Sequence, residues 1–247
     1  MTREPYEGAP IEIRDDLAAS HRRALDHLAQ PGTWWDGAQR VALMAEARHA
    51  SGCGLCRRRK EALSPATVAG THDSLGELPE IAVEVVHRIR TDPARLTRGW
   101  YEGVINAGLT PEQYVEIVSV VVHTVALDTF ARGIGVAPLP LPRPVEGMPA
   151  RHRPAGAKPG PAWVPWIEGA DITEAEAGIY PLSRPPANIH KAMSLVPAEV
   201  KSFFDLCEHH YLGPLEMRDF GREFRAITHA QIELLAARVS ALNRCFY

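Results

Sequence analysis

The segment that most restricts the fold lies near the middle of the chain. Thr110 and Gln113 form the pattern of a capping box around Pro111, a residue suited to the first position of a helix. The residues that follow, up to about Arg132, include the apolar run IVSVVV. A helix that is apolar on nearly all sides must pack in the middle of a bundle or across a dimer. We therefore predict a long central helix over residues 111–132.

Signals for further helices occur on both sides of this segment. Residues 14–29 carry apolar side chains on one side, and a second helix is expected to begin at Asp36. Others are expected after Pro79, over residues 94–106, and after Pro197. The sequence therefore predicts an all-α fold.

The charge and composition of the chain exclude several classes of partner. Its 247 residues carry a net charge of −3, which argues against electrostatic binding to nucleic acid or to a membrane surface. The N-terminus has no apolar core of signal-peptide length, and no run of 18 apolar residues occurs. We therefore predict a cytoplasmic protein with no nucleic-acid or membrane partner and no bound cofactor.

Proline dominates the part of the chain after the central helix. Between Ala137 and Trp166 there are nine prolines, a density that excludes the interior of a helix or sheet. We predict an extended connector over residues 137–190, which joins a first helical half (residues 1–136) to the beginning of a second (residues 191–247). Four apolar residues are expected to dock one end of the connector onto a surface: Trp163, Val164, Trp166 and Ile167.

The closely spaced Cys53 and Cys56 are the first candidate site, because four cysteines are too few for a disulfide scaffold. A CxxC at the start of a helix has one thiol whose anion the helix N-terminus stabilises, and the basic residues 57–60 add positive charge. We assign the pair to redox chemistry without a bound metal, and predict a lowered thiol pKa. The alternatives are an inert buried pair and a zinc half-site, which would have to recruit His49 and His72.

The last twenty residues contain a second candidate site. Thr228 can cap a helix together with Gln231, and Asn243 suits the turn that ends it. Cys245 then begins the next element, with its sulfur near unpaired backbone N–H groups. Glu233 lies beside an apolar stripe that we expect to be buried. The stripe consists of Ile232, Leu235, Ala236, Val239 and Leu242.

This stretch resembles the alkylhydroperoxidase D-like branch of the carboxymuconolactone decarboxylase superfamily. That branch is marked by Glu, eleven residues, Cys, two residues, Cys, three residues and His, and Glu233 and Cys245 match the first two positions. The strings ARVSALNRCFY and GLTPEQYVEIVSVVVHTVALDTFARGIG are also similar to the family. The resemblance implies an alkylhydroperoxidase D-like helical bundle that assembles as a homo-oligomer.

The region around the first two cysteines repeats the plan of the C-terminal stretch. The separation of Gln39 from Cys53 equals that of Gln231 from Cys245, which indicates an internal duplication with an offset of 192 residues. Where the family pattern has Glu and His, this first copy has Val41 and Lys60. The resemblance therefore implies that the first copy keeps the thiol pair but lacks the proton relay.

The resemblance also implies a chemistry. In the resembling enzymes the second Cys attacks as a thiolate, the His and Glu relay its proton, and the first Cys resolves the sulfenic acid as a disulfide. Carried over, Glu233 would be the relay carboxylate and Cys245 the resolving thiol. The implied protein is a thiol or selenol oxidoreductase that acts on a peroxide or disulfide substrate and is recycled by a thiol reductant.

The family pattern continues beyond the sequence as given. Its second Cys would come immediately after Tyr247, so the second copy is expected to be incomplete. Some alkylhydroperoxidase-related proteins carry selenocysteine at that position, and its UGA codon is ordinarily read as a stop. We therefore expect the sequence to be cut short at such a codon. A following codon other than UGA or Cys would contradict this.

Two other functional classes stay open at this point. One is a catalytically degenerate helical scaffold that works through oligomer contacts, in line with the exchanged relay positions. The other is an enzyme like the carboxymuconolactone decarboxylases, which do not require a CxxC. Rapid peroxide-dependent formation of a disulfide between Cys53 and Cys56 would favour the oxidoreductase over both.

Overall fold

This computed structural model describes residues 5–180, 186–213, 215–243 and 245. Within them, nine α-helices and six short 3₁₀ helices form the secondary structure. In chain order the α-helices are α1 (Asp15–Ala29), α2 (Gly37–His49), α3 (Gly54–Glu61), α4 (Glu80–Thr91), α5 (Arg98–Asn106), α6 (Pro111–Gly133), α7 (Asn188–Ala192), α8 (Pro197–His210) and α9 (His229–Leu242). Within these residues no strand occurs. The prediction of an all-α fold is confirmed, while the duplicated alkylhydroperoxidase D-like bundle stays a prediction.

The predicted central helix is α6, and local hydrogen bonds fix its beginning. The Thr110 hydroxyl accepts from the Gln113 backbone N–H at 3.2 Å, and the Gln113 side-chain oxygen accepts from the Thr110 N–H at 3.0 Å. Ile117 and Val120 are completely buried, and both α2 and α4 pack against this helix. By length and composition α6 could span a membrane, but 61% of its apolar window is buried, as in the core helix of a soluble protein.

The helix α8, which belongs to the predicted second half, packs against α1 and α6. Its Val200 and Leu206 are buried in the same apolar cluster as Leu28 of α1 and Ile117 of α6. Six of the described helices (α1, α2, α4, α5, α6 and α8) therefore contribute to one core that both predicted halves help to build, whereas the buried residues of α3 form a separate small cluster. The predicted boundaries of the two halves stay predictions.

The proline-rich segment is extended and docks onto this core, as predicted, through part of its apolar end. Three of its side chains are buried: Val164, Trp166 and Ile167. Trp163 lies at the edge of this contact: its ring centroid is 6.1 Å from that of Tyr101, but 36% of the residue stays exposed. The short helix α7 begins at Asn188, within the predicted connector, and residues 181–185 of the connector lie outside the described part of the chain.

The apolar stripe predicted for the C-terminal helix is not buried along α9. The capping box of Thr228 and Gln231 forms as expected, and Ile232 is buried. Three other members of the stripe are 56–64% exposed: Leu235, Val239 and Leu242. The prediction of a buried stripe is therefore wrong for these residues. Periodicity shows which side chains share one side of a helix, but not whether another element covers that side.

Inside the core, His123 of α6 is buried and held in its neutral form. Its Nδ1–H donates to the Ser119 carbonyl at 2.8 Å, and its Nε2 lies 3.1 Å from the Ser202 hydroxyl of α8. Burial disfavours the imidazolium and lowers the pKa of His123 to about 4. Protonation in the unfolded chain therefore begins at a higher pH than in the folded chain.

We expect this histidine to weaken the fold in acid. Because the folded pKa lies below the unfolded value, the stabilising effect is present above about pH 6.5 and is lost as the pH falls towards 4, at a cost of about 3 kcal/mol. Urea denaturation at a series of pH values measures this. His123→Leu should make the curve between pH 6.5 and 4 less steep, and His152→Gln, which changes a partly exposed histidine, should not. Equal slopes in both variants would contradict the prediction.

Candidate functional site

Cys53 and Cys56 lie at the beginning of α3, as the sequence predicted. Cys53 directly precedes the helix, and its carbonyl accepts from the Arg57 N–H at 3.1 Å, which closes the first turn. Cys56 lies within that turn. Both are free thiols, with only 2% and 4% of their surfaces exposed. The CxxC thus presents two buried sulfur atoms at the N-terminus of a short helix.

Two histidines face these sulfur atoms. His72, from the segment between α3 and α4, places its Nδ1 3.4 Å from the Cys56 Sγ and 3.6 Å from the Cys53 Sγ. His87, from α4, places its Nδ1 3.2 Å from the Cys56 Sγ. The four ligand atoms all lie within 4.8 Å of one another. We call these four residues the thiol–imidazole cluster.

A glutamate holds each histidine from its other side. The Nε2 of His87 lies 2.7 Å from a carboxylate oxygen of Glu46 on α2, and the Nε2 of His72 lies 2.7 Å from one of Glu84 on α4. A carboxylate that accepts the Nε2–H leaves the Nδ1 free to act as base, donor or ligand. Both glutamates therefore aim their histidines at the thiols.

The two glutamates are themselves fixed by hydrogen bonds. Glu46 accepts from the Leu75 backbone N–H at 3.0 Å. Glu84 accepts from the Arg59 guanidinium at 2.8 Å and from the Trp100 indole N–H at 2.9 Å. The orientation of the histidines thus rests on carboxylates from α2 and α4, which contacts from α3, α5 and the segment before α4 hold in place.

The lack of a proton relay in this first copy stays a prediction, but the structure does place imidazole and carboxylate groups beside its thiols. The family pattern looked for relay groups at Val41 and Lys60, but the structure brings an imidazole and a carboxylate to Cys56 from His87 and Glu46. These residues belong to different helices, so a linear spacing motif could not reveal them. The available signal was a histidine four residues after the buried Val83, on the apolar side of α4.

The zinc half-site considered from the sequence would recruit His49 and His72, and one of these two histidines does lie beside the thiols. His72 lies in the cluster, as that alternative required. His49 does not, because its Nε2 lies 3.5 Å from the Asp73 carboxylate instead. Its place is taken by His87.

Contacts within the cluster shift the pKa of its members. Burial by itself would raise the pKa of Cys56, but hydrogen bonds with His72 and His87 lower it to about 6. Burial would likewise lower the pKa of His72, but contacts with Cys56, Glu84 and Cys53 raise it to about 10. Burial opposes the ionisation of Cys53, yet the Cys56 backbone N–H and His72 lower the pKa of this thiol too. These directions agree with the predicted lowering.

The thiols border a surface cavity of about 390 Å³ whose charged lining residues are mainly basic. Four cationic side chains line it: Arg57, Lys60, Arg90 and Arg132. Glu61 is the acidic residue among the lining side chains. Positive charge at the mouth of a cleft raises the local concentration of anionic ligands. The cavity therefore offers a route by which an anionic molecule could reach Cys53 and Cys56.

The C-terminal candidate residues lie in different surroundings. The Glu233 side chain is 49% exposed, accepts from the Tyr211 hydroxyl at 2.6 Å and lies 3.4 Å from the His229 Nε2. Cys245 is exposed beyond the end of α9, and its backbone N–H donates to the Ser240 carbonyl at 2.9 Å. Neither residue belongs to the thiol–imidazole cluster. Their proposed roles as relay carboxylate and resolving thiol stay predictions.

The remaining cysteine, Cys207 of α8, has an unreactive environment. Burial raises the pKa of its thiol to about 11, and the Glu208 carboxylate adds to the effect. Cys207 therefore serves as an internal reference for a thiol that reacts slowly with peroxide.

Comparison of the chain with protein-family models, with curated proteins and with solved structures finds no match in any of the three. Chemically, the thiol–imidazole cluster can support a nucleophilic thiolate with adjacent proton donors, or it can surround a cation with sulfur and nitrogen ligands.

Proposed function

We propose that this chain is a thiol oxidoreductase that reduces hydroperoxides through a disulfide cycle of Cys53 and Cys56. One observation carries the proposal: the Cys56 Sγ lies 3.2 Å and 3.4 Å from imidazole nitrogens of His87 and His72. Glutamates hold both imidazoles in place, so nucleophile, proton donor and orienting carboxylate stand together. The resemblance to the alkylhydroperoxidase D-like branch supports the same chemistry in a cytoplasmic homo-oligomer.

Cys56 is the attacking residue in this proposal. Its thiolate attacks one peroxide oxygen, the O–O bond breaks, and the leaving oxygen takes a proton from the His72 imidazolium to give an alcohol. Cys56 becomes a sulfenic acid. His72 suits this role because its Nδ1 lies close to the sulfur atoms of both cysteines.

Cys53 then resolves the sulfenic acid. Its thiol gives its proton to the His72 Nδ1, its sulfur bonds to the Cys56 sulfur, and the departing hydroxide takes the proton and leaves as water. A thiol reductant returns two electrons by disulfide exchange and restores both thiols. The basic residues around the cavity favour a hydroperoxide that carries an acidic group.

Mass spectrometry of the oxidised protein tests this function. In a Cys245→Ser background, cumene hydroperoxide should convert Cys53 and Cys56 to an intramolecular disulfide, with one alcohol formed per disulfide. The reaction should run far ahead of any oxidation of Cys207. Oxidation of the pair no faster than that of Cys207 would contradict the proposal and favour a degenerate scaffold.

A further inference from the structure

We propose that the thiol–imidazole cluster is a zinc site in which Cys53, Cys56, His72 and His87 supply four ligands to one Zn²⁺ ion. The observation behind it is a group of two thiol sulfurs and two imidazole nitrogens whose ligand atoms all lie within 4.8 Å of one another. Two cysteines and two histidines are an established ligand set for tetrahedral zinc.

Three sulfur-to-nitrogen distances within the cluster match those of a tetrahedral zinc site. With Zn–S of about 2.3 Å and Zn–N of about 2.0–2.1 Å, tetrahedral angles place a sulfur and a nitrogen ligand roughly 3.5 Å apart. The sulfur-to-nitrogen distances observed here are 3.2, 3.4 and 3.6 Å. A small adjustment of side chains is enough to place a cation at the centre.

The groups behind the ligands have the arrangement that a zinc site requires. A histidine that binds zinc usually donates its other N–H to a carboxylate, which fixes its tautomer and orientation. Here His87 pairs with Glu46 and His72 with Glu84, each at 2.7 Å through Nε2. Both Nδ1 atoms are thereby left to face the sulfur atoms. A cluster with a proton-relay role alone needs only one such imidazole.

The sulfur and nitrogen ligands of the cluster are soft, which argues against hard cations. Thiolate and imidazole favour zinc over the hard cations magnesium and calcium, which take oxygen ligands. The cluster is also largely closed, because both cysteines and His87 are buried. Four protein ligands and a closed surface are typical of a structural zinc site.

Zinc would also fix an otherwise weakly structured part of the chain. Residues 62–79 between α3 and α4 form only one short 3₁₀ turn, Pro65–Thr67. His72 lies in this segment and joins it to α3 through the cysteines and to α4 through Glu84. The ion would therefore clamp α3, the segment and α4 together.

The zinc-bound form and the disulfide form are two states of the thiol–imidazole cluster. This link between zinc binding and the redox cycle rests on the proposed function. Bound zinc occupies both thiolates and protects them. A hydroperoxide can oxidise them with loss of the ion: the two thiolates give up two electrons and form the S–S bond. The hydroperoxide takes these electrons with two protons and becomes an alcohol and water.

Metal analysis of the full chain tests the zinc site. The reduced protein, stripped with a chelator, is incubated with Zn²⁺, desalted and assayed for zinc by mass spectrometry, and Co²⁺ is used in parallel for its visible spectrum. We expect one ion per chain and the intense visible bands of tetrahedral cobalt with thiolate ligands. If the protein retains no zinc, or if the cobalt spectrum is octahedral, the proposal is overturned. This outcome does not depend on whether any variant folds.

Matched variants locate the ion. His72→Gln and His87→Gln should each weaken zinc binding by more than 100-fold, whereas His49→Gln, which changes a histidine outside the cluster, should not. Glu46→Gln leaves all four ligands in place and should weaken binding by about 10–100-fold. Binding that is unchanged in both cluster variants would overturn the assignment.

Addition of cumene hydroperoxide to the zinc-loaded protein separates the two proposals. Release of zinc together with a Cys53–Cys56 disulfide supports both. If the protein binds zinc but does not release it when peroxide is added, the zinc site is supported and the proposed peroxidase function is contradicted. If the protein forms the disulfide rapidly but does not bind zinc, the peroxidase function is supported and the zinc site is contradicted.

Discussion

Replacement of Cys56 by serine should lower the rate of hydroperoxide reduction by at least about 100-fold, because the covalent step loses its nucleophile. Replacement of Cys53 should act differently. In Cys53→Ser the attacking thiolate remains, so one hydroperoxide is reduced per chain and the reaction then stops at a Cys56 sulfenic acid. A sulfenic-acid-specific probe followed by peptide mass spectrometry distinguishes the two variants.

The chain supplies its own control for this experiment. Cys207→Ser removes a thiol whose pKa burial raises to about 11, so the rate should stay close to that of the parent protein. The measurements use a Cys245→Ser background, since Cys245 is exposed. If Cys56→Ser and Cys207→Ser retain the same rate, Cys56 is not the nucleophile.

Replacement of Arg40 by methionine should lower the free energy of unfolding by about 3–5 kcal/mol. Arg40 is completely buried and forms ion pairs with Glu116 of α6 and with Glu199 of α8, the latter at 2.8 Å. Both glutamates are also completely buried. Removal of the cation would leave Glu116 with the Trp34 backbone N–H and Glu199 with His27 and the Ser119 hydroxyl, so most of the energy of desolvating the two carboxylates would no longer be offset.

Urea denaturation measures this effect. Arg143→Met changes an exposed arginine and should alter stability by no more than about 0.5 kcal/mol. A triple variant that replaces Arg40, Glu116 and Glu199 with apolar residues of similar size should recover much of the lost stability, since buried ion networks can be exchanged for apolar packing. A loss below about 1 kcal/mol in Arg40→Met would contradict the prediction.

Local sequence predicted the elements whose formation depends on neighbouring residues. The capping box at Thr110 and Gln113 fixed the start of α6, and the turn before Cys53 placed the CxxC at the beginning of α3. In each case the determining hydrogen bonds join residues no more than four positions apart. Such interactions can be read from a linear string.

Long-range placement was predicted less well. The apolar stripe of α9 was expected in the core, yet Leu235 and Val239 are exposed. The family pattern sought a histidine and a glutamate at fixed distances along the chain from the thiols, whereas the imidazole and carboxylate beside Cys56 include those of His87 and Glu46. These two residues are 41 positions apart in sequence and 2.7 Å apart in space.

The sequence alone determined the all-α class, the central helix and the position of the thiol pair, because capping, helical periodicity and turn residues act over a few positions. Only the tertiary structure decided which side chains surround Cys56. Packing of α2 and α4 against α6 brings Glu46 and His87 together, and the segment before α4 adds His72. The chemistry of this site depends on contacts between elements distant in sequence, and such contacts are set by the packing of the whole core.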